Sequence, residues 1–317
     1  MISIIRSAIG SLSTIGFLKF LKEHDFRVIG TDITDSAVGK FFVDAFYEVP
    51  RASEEKSVAT RYREIVKKEH AQWIISGPEE EIAVLKQNEQ YIETHVLHPP
   101  LETLRIITDK WRAFQYLAKN GFLMPQSYEG GEQEICPLQG KMILKPRRGR
   151  GSSGILVAEN KEQLTHIQQA GLIHGEYIIQ EFIEGEEWTV DTLHDLDGNL
   201  LNVVPRRRLK VDSGISIIGE TVREEYLFEL MMSISSLLNF VGGNCFQFIK
   251  DKSGRYYLTD INPRFGGGSI LSLKASISFQ QNLVRLFKGE LRGSQPPSFD
   301  FDKLRMHRYY EEFYDKI

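Results

Sequence analysis

Apolar positions fall along this chain in short blocks of two kinds, and their spacing predicts the elements. Residues 2–5 and 27–31 read as buried strands, the second ending at Asp32, with an amphipathic helix over 13–23 between them. Residues 46–49 and 73–76 predict two more strands, separated by a polar helical stretch over 54–70. Strands alternating with helices indicate a parallel sheet of the nucleotide-fold type. His98-Pro99-Pro100 breaks that pattern and marks a first boundary near residue 100. Beyond it, 108–120 predicts a helix closed by Gly121. Residues 142–145 and 154–157 predict strands around a basic, glycine-rich loop, and 177–180 and 188–193 predict strands around an acidic turn. Asp197-Gly198 marks a hairpin. A long helix over 224–240, strands over 245–250 and 256–260, and a helix over 276–288 complete the pattern. The expected fold class is α/β and α+β, opening with a Rossmann-like parallel sheet over residues 1–100.

Composition narrows the classes. The 317 residues suffice for two or three packed units. A charged fraction of 26% and a hydrophobic fraction of 41% are ordinary for a globular protein. The formal net charge of −4 argues against a general nucleic-acid or anionic-membrane binder, so basic clusters need local explanations. No stretch approaches a membrane span, and the apolar run at Met1–Arg6 is too short for a signal sequence; the expectation is a cytoplasmic protein. Cys136 and Cys245 read as buried thiols, since one pair makes neither a disulfide framework nor a zinc site.

The most informative segment is Asp260-Ile261-Asn262-Pro263-Arg264, followed by Gly266-Gly267-Gly268-Ser269. Alternate side chains of a strand share a face, so Asp260, Asn262 and Arg264 point together while Ile261 packs behind. Oxygen ligands beside a fixed cation suit magnesium and a transferring phosphoryl group. An acidic strand end running into a Pro-Gly turn is the plain alternative. Gln247 lies on the preceding strand, and an antiparallel pair would set it beside Asp260 as a third oxygen; a glutamine satisfied by backbone competes with that reading.

Four more segments bear on chemistry. Lys145 enters the loop Pro146-Arg147-Arg148-Gly149-Arg150-Gly151-Ser152-Ser153-Gly154, whose glycines let backbone N–H groups approach an anion. A mobile solvated hairpin explains it equally well. Gln180-Glu181-Phe182-Ile183-Glu184-Gly185-Glu186-Glu187 is an apolar strand entering a carboxylate-rich bend, able to meet an adenine edge and ribose hydroxyls, or an acidic surface turn. Lys110 alone reads as a solvated helix charge. Pro205-Arg206-Arg207-Arg208-Leu209-Lys210 offers Arg206 and Arg208 on one face for a substrate carboxylate or phosphate, or forms a solvated basic edge strand. The first hundred residues carry only Gly10 and Gly16 in the first turn, not a three-glycine fingerprint, so they read as structural or substrate-lining. Glu79, Glu80 and Glu81 open a helix at a strand's carboxyl end, where ligands gather but where acids also complement a helix dipole.

The order of these parts resembles the ATP-grasp superfamily: Lys110, Lys145 with its Gly/Ser loop, Glu181-Phe182-Ile183 with Glu187, Gln247, and the Asp-Ile-Asn-Pro-Arg strand. The resemblance is to single-copy proteins similar to one ATP-binding half of the carbamoyl-phosphate synthase large subunit, and it covers most of the chain. It implies a Rossmann-like domain over 1–100, an ATP-grasp small lobe over 101–178 and a large lobe over 179–317. It further implies that Lys110 and Lys145 contact ATP phosphates under a lid at 149–154 that includes Ser152, Ser153 and Gly154. Glu181, Phe182 and Ile183 would read adenine and Glu187 would hold ribose. Asp260 and Asn262 would bind magnesium, or manganese, with Gln247 beside it, and Arg264 would stabilise the phosphoryl group in flight. Relatives often carry glutamate where this chain has Asp260, and the shorter arm changes the metal spacing.

The function expected is an ATP-dependent carboxylate–amine ligase acting through an acyl phosphate and releasing ADP and phosphate. Its partners would be small carboxylates and amines, gripped by Arg206, Arg208 and the loop at 7–11, with a homodimer as the expected assembly. Phosphorylation of bicarbonate or carbamate, and a non-catalytic ATP sensor, are the alternatives.

Overall fold

The computed structural model describes the whole chain except residues 12, 131–135, 150–152, 174, 213, 292–294 and 316–317. Its first unit follows the alternation in the sequence. Strand β1 (Ser3–Ser7) leads to helix α1 (Ile15–Glu23) and β2 (Arg27–Asp32); then come β3 (Ala45–Glu48), α2 (Glu55–Glu69), β4 (Trp73–Ile75), α3 (Glu79–Gln87), the short α4 (Glu89–Ile92) and β5 (His95–Val96). All four strand pairings are parallel, in the order β3-β2-β1-β4-β5. Helix α1 packs with Ile4 and Val28 on one face, while α2 and α3 pack with Ile5 and Ile29 on the other. The strand order therefore reverses between the neighbours β1 and β4, and the crevice beyond their carboxyl ends is where ligands of such sheets bind.

Helices α5 (Leu101–Ile107) and α6 (Lys110–Lys119) lead into a four-stranded antiparallel sheet of β6 (Ser127–Glu129), β7 (Met142–Pro146), β8 (Leu156–Ala158) and β9 (Tyr177–Glu181), with α7 (Lys161–Gln169) against it. Helix α6 starts two residues later than its apolar pattern suggests because Asp109 is its cap, accepting from the Trp111 and Arg112 backbone N–H groups.

The rest of the chain builds a six-stranded sheet in the order β14-β13-β10-β11-β12-β15. Its members are β10 (Gly185–His194), β11 (Leu200–Asp212), β12 (Ile215–Thr221), β13 (Gly242–Asp251), β14 (Tyr256–Asn262) and β15 (Arg305–His307). Helix α8 (Glu225–Leu237) covers one face with Trp188, Val190, Phe246 and Phe248 in the core beneath. Helices α9 (Ser269–Ala275) and α10 (Ile277–Phe287) join the core of β1 and α1. One expectation is corrected here: the arginine-rich stretch is not an edge strand, since β11 is hydrogen-bonded on both sides, to β10 and β12. No helix among the described residues is long and apolar enough to cross a membrane.

Candidate active site

All three sheets contribute to the wall of one cavity of about 620 Å3. Asp260, Asn262 and Arg264 all line it, while Ile261 is buried in the core behind. The antiparallel pairing sets Gln247 directly opposite Asp260 and Cys245 opposite Asn262. The three polar groups are chained: the Asn262 Nδ2 donates to Asp260 Oδ2 at 3.3 Å, and the Arg264 Nη2 donates to Asn262 Oδ1 at 2.9 Å. The Arg264 Nε is buried with no partner. Behind this row Gly268 is needed for space, because a Cβ there would collide with the Arg206 guanidinium.

Two lysines face the row. Lys110 Nζ lies 3.9 Å from Asp260 Oδ1 and donates to the Gly149 carbonyl at 3.1 Å. Its placement comes from Asp109, which besides capping α6 takes Arg147 in a two-pronged pair at 3.2 and 2.9 Å, while the Lys110 N–H bonds the Arg147 carbonyl. Burial opposes the charge on Asp109, yet the Arg147 hydrogen bond and the capping N–H groups hold its carboxyl below the usual range. Lys145 comes from β7 and donates to Gln180 Oε1 at 2.9 Å. Desolvation in the cavity wall pulls its ammonium down to about 8; Asp260 supports the charge and Lys110 opposes it.

Of the loop after β7, Gly149 and Ser153 line the cavity. Gly149 (φ 136°) and Gly154 (φ 71°) adopt backbone angles that favour glycine. Ser152, expected in the same lid, lies outside the described residues. Glu187 lines the cavity from β10 and pairs with Arg208 at 2.9 Å; Arg208 also donates to the Gly214 carbonyl. Glu181, Phe182 and Ile183 lie off that lining. The Glu181 and Phe182 N–H groups bond the carbonyls of Gln126 and Lys141. Arg206 reaches the wall but is committed elsewhere. Its Nε and Nη2 meet Asp191 at 2.6 and 3.1 Å, and Ser269 and Ser272 donate to the same carboxylate. In the loop at 7–11, Ala8 and Ser11 line the cavity, whereas Ser7 is fully buried and bonds Ser76 and Glu81.

The N-terminal sheet brings three side chains that the sequence reading left unassigned. Arg6, next to last in β1, lines the cavity. Glu79 opens α3; desolvation, then the Asp260 charge, push its carboxyl up to about 7 against the pull of Arg264 and Lys110. His98 accepts the Ser76 N–H on Nε2 at 2.8 Å, so its Nδ1–H donates to the Pro263 carbonyl, also at 2.8 Å. Burial holds that imidazole neutral, its pKa lowered to about 3, and it ties the parallel sheet to the turn carrying Arg264.

A family model described as "ATP-grasp domain" matches residues 107–268, half of the chain. The chain belongs to the ATP-grasp family. A second model, "PylC-like, N-terminal domain", matches residues 12–97. Among characterised relatives, this ATP-grasp chain is 29% identical over 216 residues to a D-alanine--D-alanine ligase of Thermotoga petrophila, covering 59% of this chain and 70% of that protein. It is 28% identical over 149 residues to the carbamoyl phosphate synthase large chain of a Thermoanaerobacter species, covering 43% of this chain but only 14% of that much longer protein. In fold it is similar to the N5-carboxyaminoimidazole synthetase of Staphylococcus aureus solved with ADP (TM-score 0.72, 14% identity, 93% of this chain and 78% of that one). It is also similar to the L-amino acid ligase of Bacillus licheniformis (TM-score 0.71, 16% identity, 92% and 76%). The ATP-grasp expectation from sequence is borne out, as is a parallel-sheet unit followed by antiparallel sheets.

The donor set near Asp260 also bears on the metal. Among the described residues no group of three or more His, Cys, Asp and Glu forms a metal cage. Asp260, Asn262 and Gln247 supply one carboxylate and two amide oxygens, a hard, oxygen-only set. That fits magnesium, which binds through one or two carboxylates and takes its remaining ligands from water and phosphate.

Proposed function

We propose that this ATP-grasp protein is an ATP- and magnesium-dependent ligase joining a small carboxylate to an amine. The observation that carries the reading is the convergence of Lys110, Lys145, Asp260, Asn262 and Arg264 on one cavity. A substrate carboxylate oxygen attacks the γ-phosphorus, the bond to the bridging oxygen breaks and ADP leaves. An amine then attacks the acyl carbon of the acyl phosphate, inorganic phosphate departs and the amine loses a proton. Asp260 and Asn262, with Gln247 beside them, would hold the metal, which when bound neutralises phosphate charge. Lys110 and Lys145 bind the phosphates, and Arg264 stabilises the charge that develops on the transferring group. The loop at 149–154 excludes water that would hydrolyse the acyl phosphate. Glu187 holds the ribose. The units are 1–100, 101–178 and 179–317, and the assembly is a homodimer.

Support comes from the family, whose relatives matched here include an enzyme named for joining two D-alanines. A second reading, phosphorylation of bicarbonate, is favoured by the match to carbamoyl phosphate synthase. ADP formation from ATP and magnesium, screened against paired amino acids, carboxylates and amines, tests the first reading. ADP that depends on both a carboxylate and an amine supports it; ADP released with bicarbonate alone selects the second, and no ADP with any pair or with bicarbonate overturns both.

A further inference from the structure

Arg6 is out of place by ordinary rules of burial. It is the fourth residue of a five-residue strand that is buried throughout, and is itself only 6% exposed. Buried guanidinium groups are normally matched to a carboxylate, because desolvating an unpaired cation is costly. Among the described residues no carboxylate forms an ion pair with Arg6. Its Nη1 bonds only the main-chain carbonyls of Ser7 (2.9 Å) and Ile75 (3.2 Å), and its Nε has no partner at all. Glu81, the acid nearest in charge, is engaged by Ser7, Ser76 and Tyr62 instead.

Position adds to the anomaly. Arg6 stands at the carboxyl end of β1, paired to Ile75 of β4, so it occupies the reversal point of the parallel sheet. Gly77, the cavity-lining residue after β4, lies against the guanidinium: a Cβ there would be 3.4 Å from Nη1 and 3.5 Å from Nη2. Arg264 lines the same cavity, with its own unpartnered Nε. Two under-satisfied cations thus face one cavity, and only Arg264 belongs to the row of metal and phosphate groups.

We propose that Arg6 is the docking point for a carboxylate that is not phosphorylated, so that the amine substrate is an α-amino acid. This rests on the ligase reading above. The planar fork of a guanidinium matches a carboxylate in two-pronged fashion, and the amino group one carbon away is then free to reach the acyl carbon.

The test compares ligands and variants without turnover. Thermal shifts of the protein with magnesium and ADP are measured against the twenty amino acids and, in parallel, their α-amides, for the wild type, Arg6→Met and Arg6→Lys. The expected result is that at least one amino acid stabilises the wild type while its amide binds at least tenfold more weakly. Arg6→Met loses that preference and Arg6→Lys keeps part of it, with ADP binding unchanged in both. Equal binding of acid and amide, an acid preference that survives Arg6→Met, or no shift with any amino acid would overturn the subsite. If Arg6→Met fails to fold, the acid–amide comparison on the wild type and Arg6→Lys still decides. Failure of the ligase reading shows separately, as absence of ADP formation in the turnover screen.

Discussion

Arg206 and Arg6 are both buried arginines in the wall of one cavity, and they differ in what meets their charge. Arg206 sits on a central strand with Asp191 fixed opposite by two serines, so its donors are matched within the protein. Arg6 has main-chain carbonyls and a bare Nε. Arg264 resembles Arg6 in this respect, with one amide oxygen and an unpartnered Nε. The difference separates arginines that hold the fold from arginines that await a ligand. By this measure Arg206, read from sequence as a substrate clamp, belongs to the scaffold.

The sharpest way to break the comparison is Arg206→Met. It strands the Asp191 carboxylate in the core and should cost about 3–5 kcal/mol of stability, read by chemical denaturation, and removing both charges with Asp191→Leu should recover much of the loss. Little change in the single variant would contradict the structural assignment. Arg264→Ala should behave in the opposite way, with stability nearly unchanged, turnover lowered on the order of a hundredfold or more, and nucleotide affinity barely altered. Equal losses in turnover and affinity would remove the role given to it.

The lysine wall gives a pH signature. Burial lowers the free Lys145 ammonium to about 8, so the charged form that attracts phosphate is held below that pH and lost above it. Affinity for magnesium–ADP, followed by calorimetry, should be flat from pH 7 toward 8. It should then weaken by up to about tenfold per pH unit. Lys145→Met should flatten the curve, and an unchanged slope would assign the titration elsewhere. The smallest stability effect belongs to Glu187→Gln. The Glu187 carboxylate is half exposed where it meets Arg208, so stability should move by about 1 kcal/mol or less while the ATP KM rises. A large loss of stability would place that pair with Arg206 and Asp191.

Local pattern made part of this legible. The period of two placed Asp260, Asn262 and Arg264 on one face, and a short antiparallel connection placed Gln247 opposite Asp260, because both follow from neighbours in sequence. The Arg206–Asp191 pair was hidden because a register between β10 and β11 creates it across fifteen positions. Arg6 lies just past the strand expected over 2–5 and drew no reading from the sequence; its isolation follows from β4 packing alongside some seventy residues later. Glu79 took its altered environment from burial first and then from the Asp260 charge, on another sheet. The 101–107 helix escaped notice because its seven residues span barely two turns, and the 161–169 helix because Leu164 is its one buried position, so neither shows a periodicity.

The central claim is that this cavity transfers the γ-phosphoryl group of ATP to a carboxylate. Isotope tracing tests it most directly, using a carboxylate labelled with oxygen-18 in the pair that yields ADP. One labelled oxygen recovered in inorganic phosphate for each ADP formed is the predicted result, since the acyl phosphate breaks at its acyl carbon–oxygen bond. ADP accumulating with unlabelled phosphate would mean that water, not the carboxylate, received the phosphoryl group, and would contradict the account.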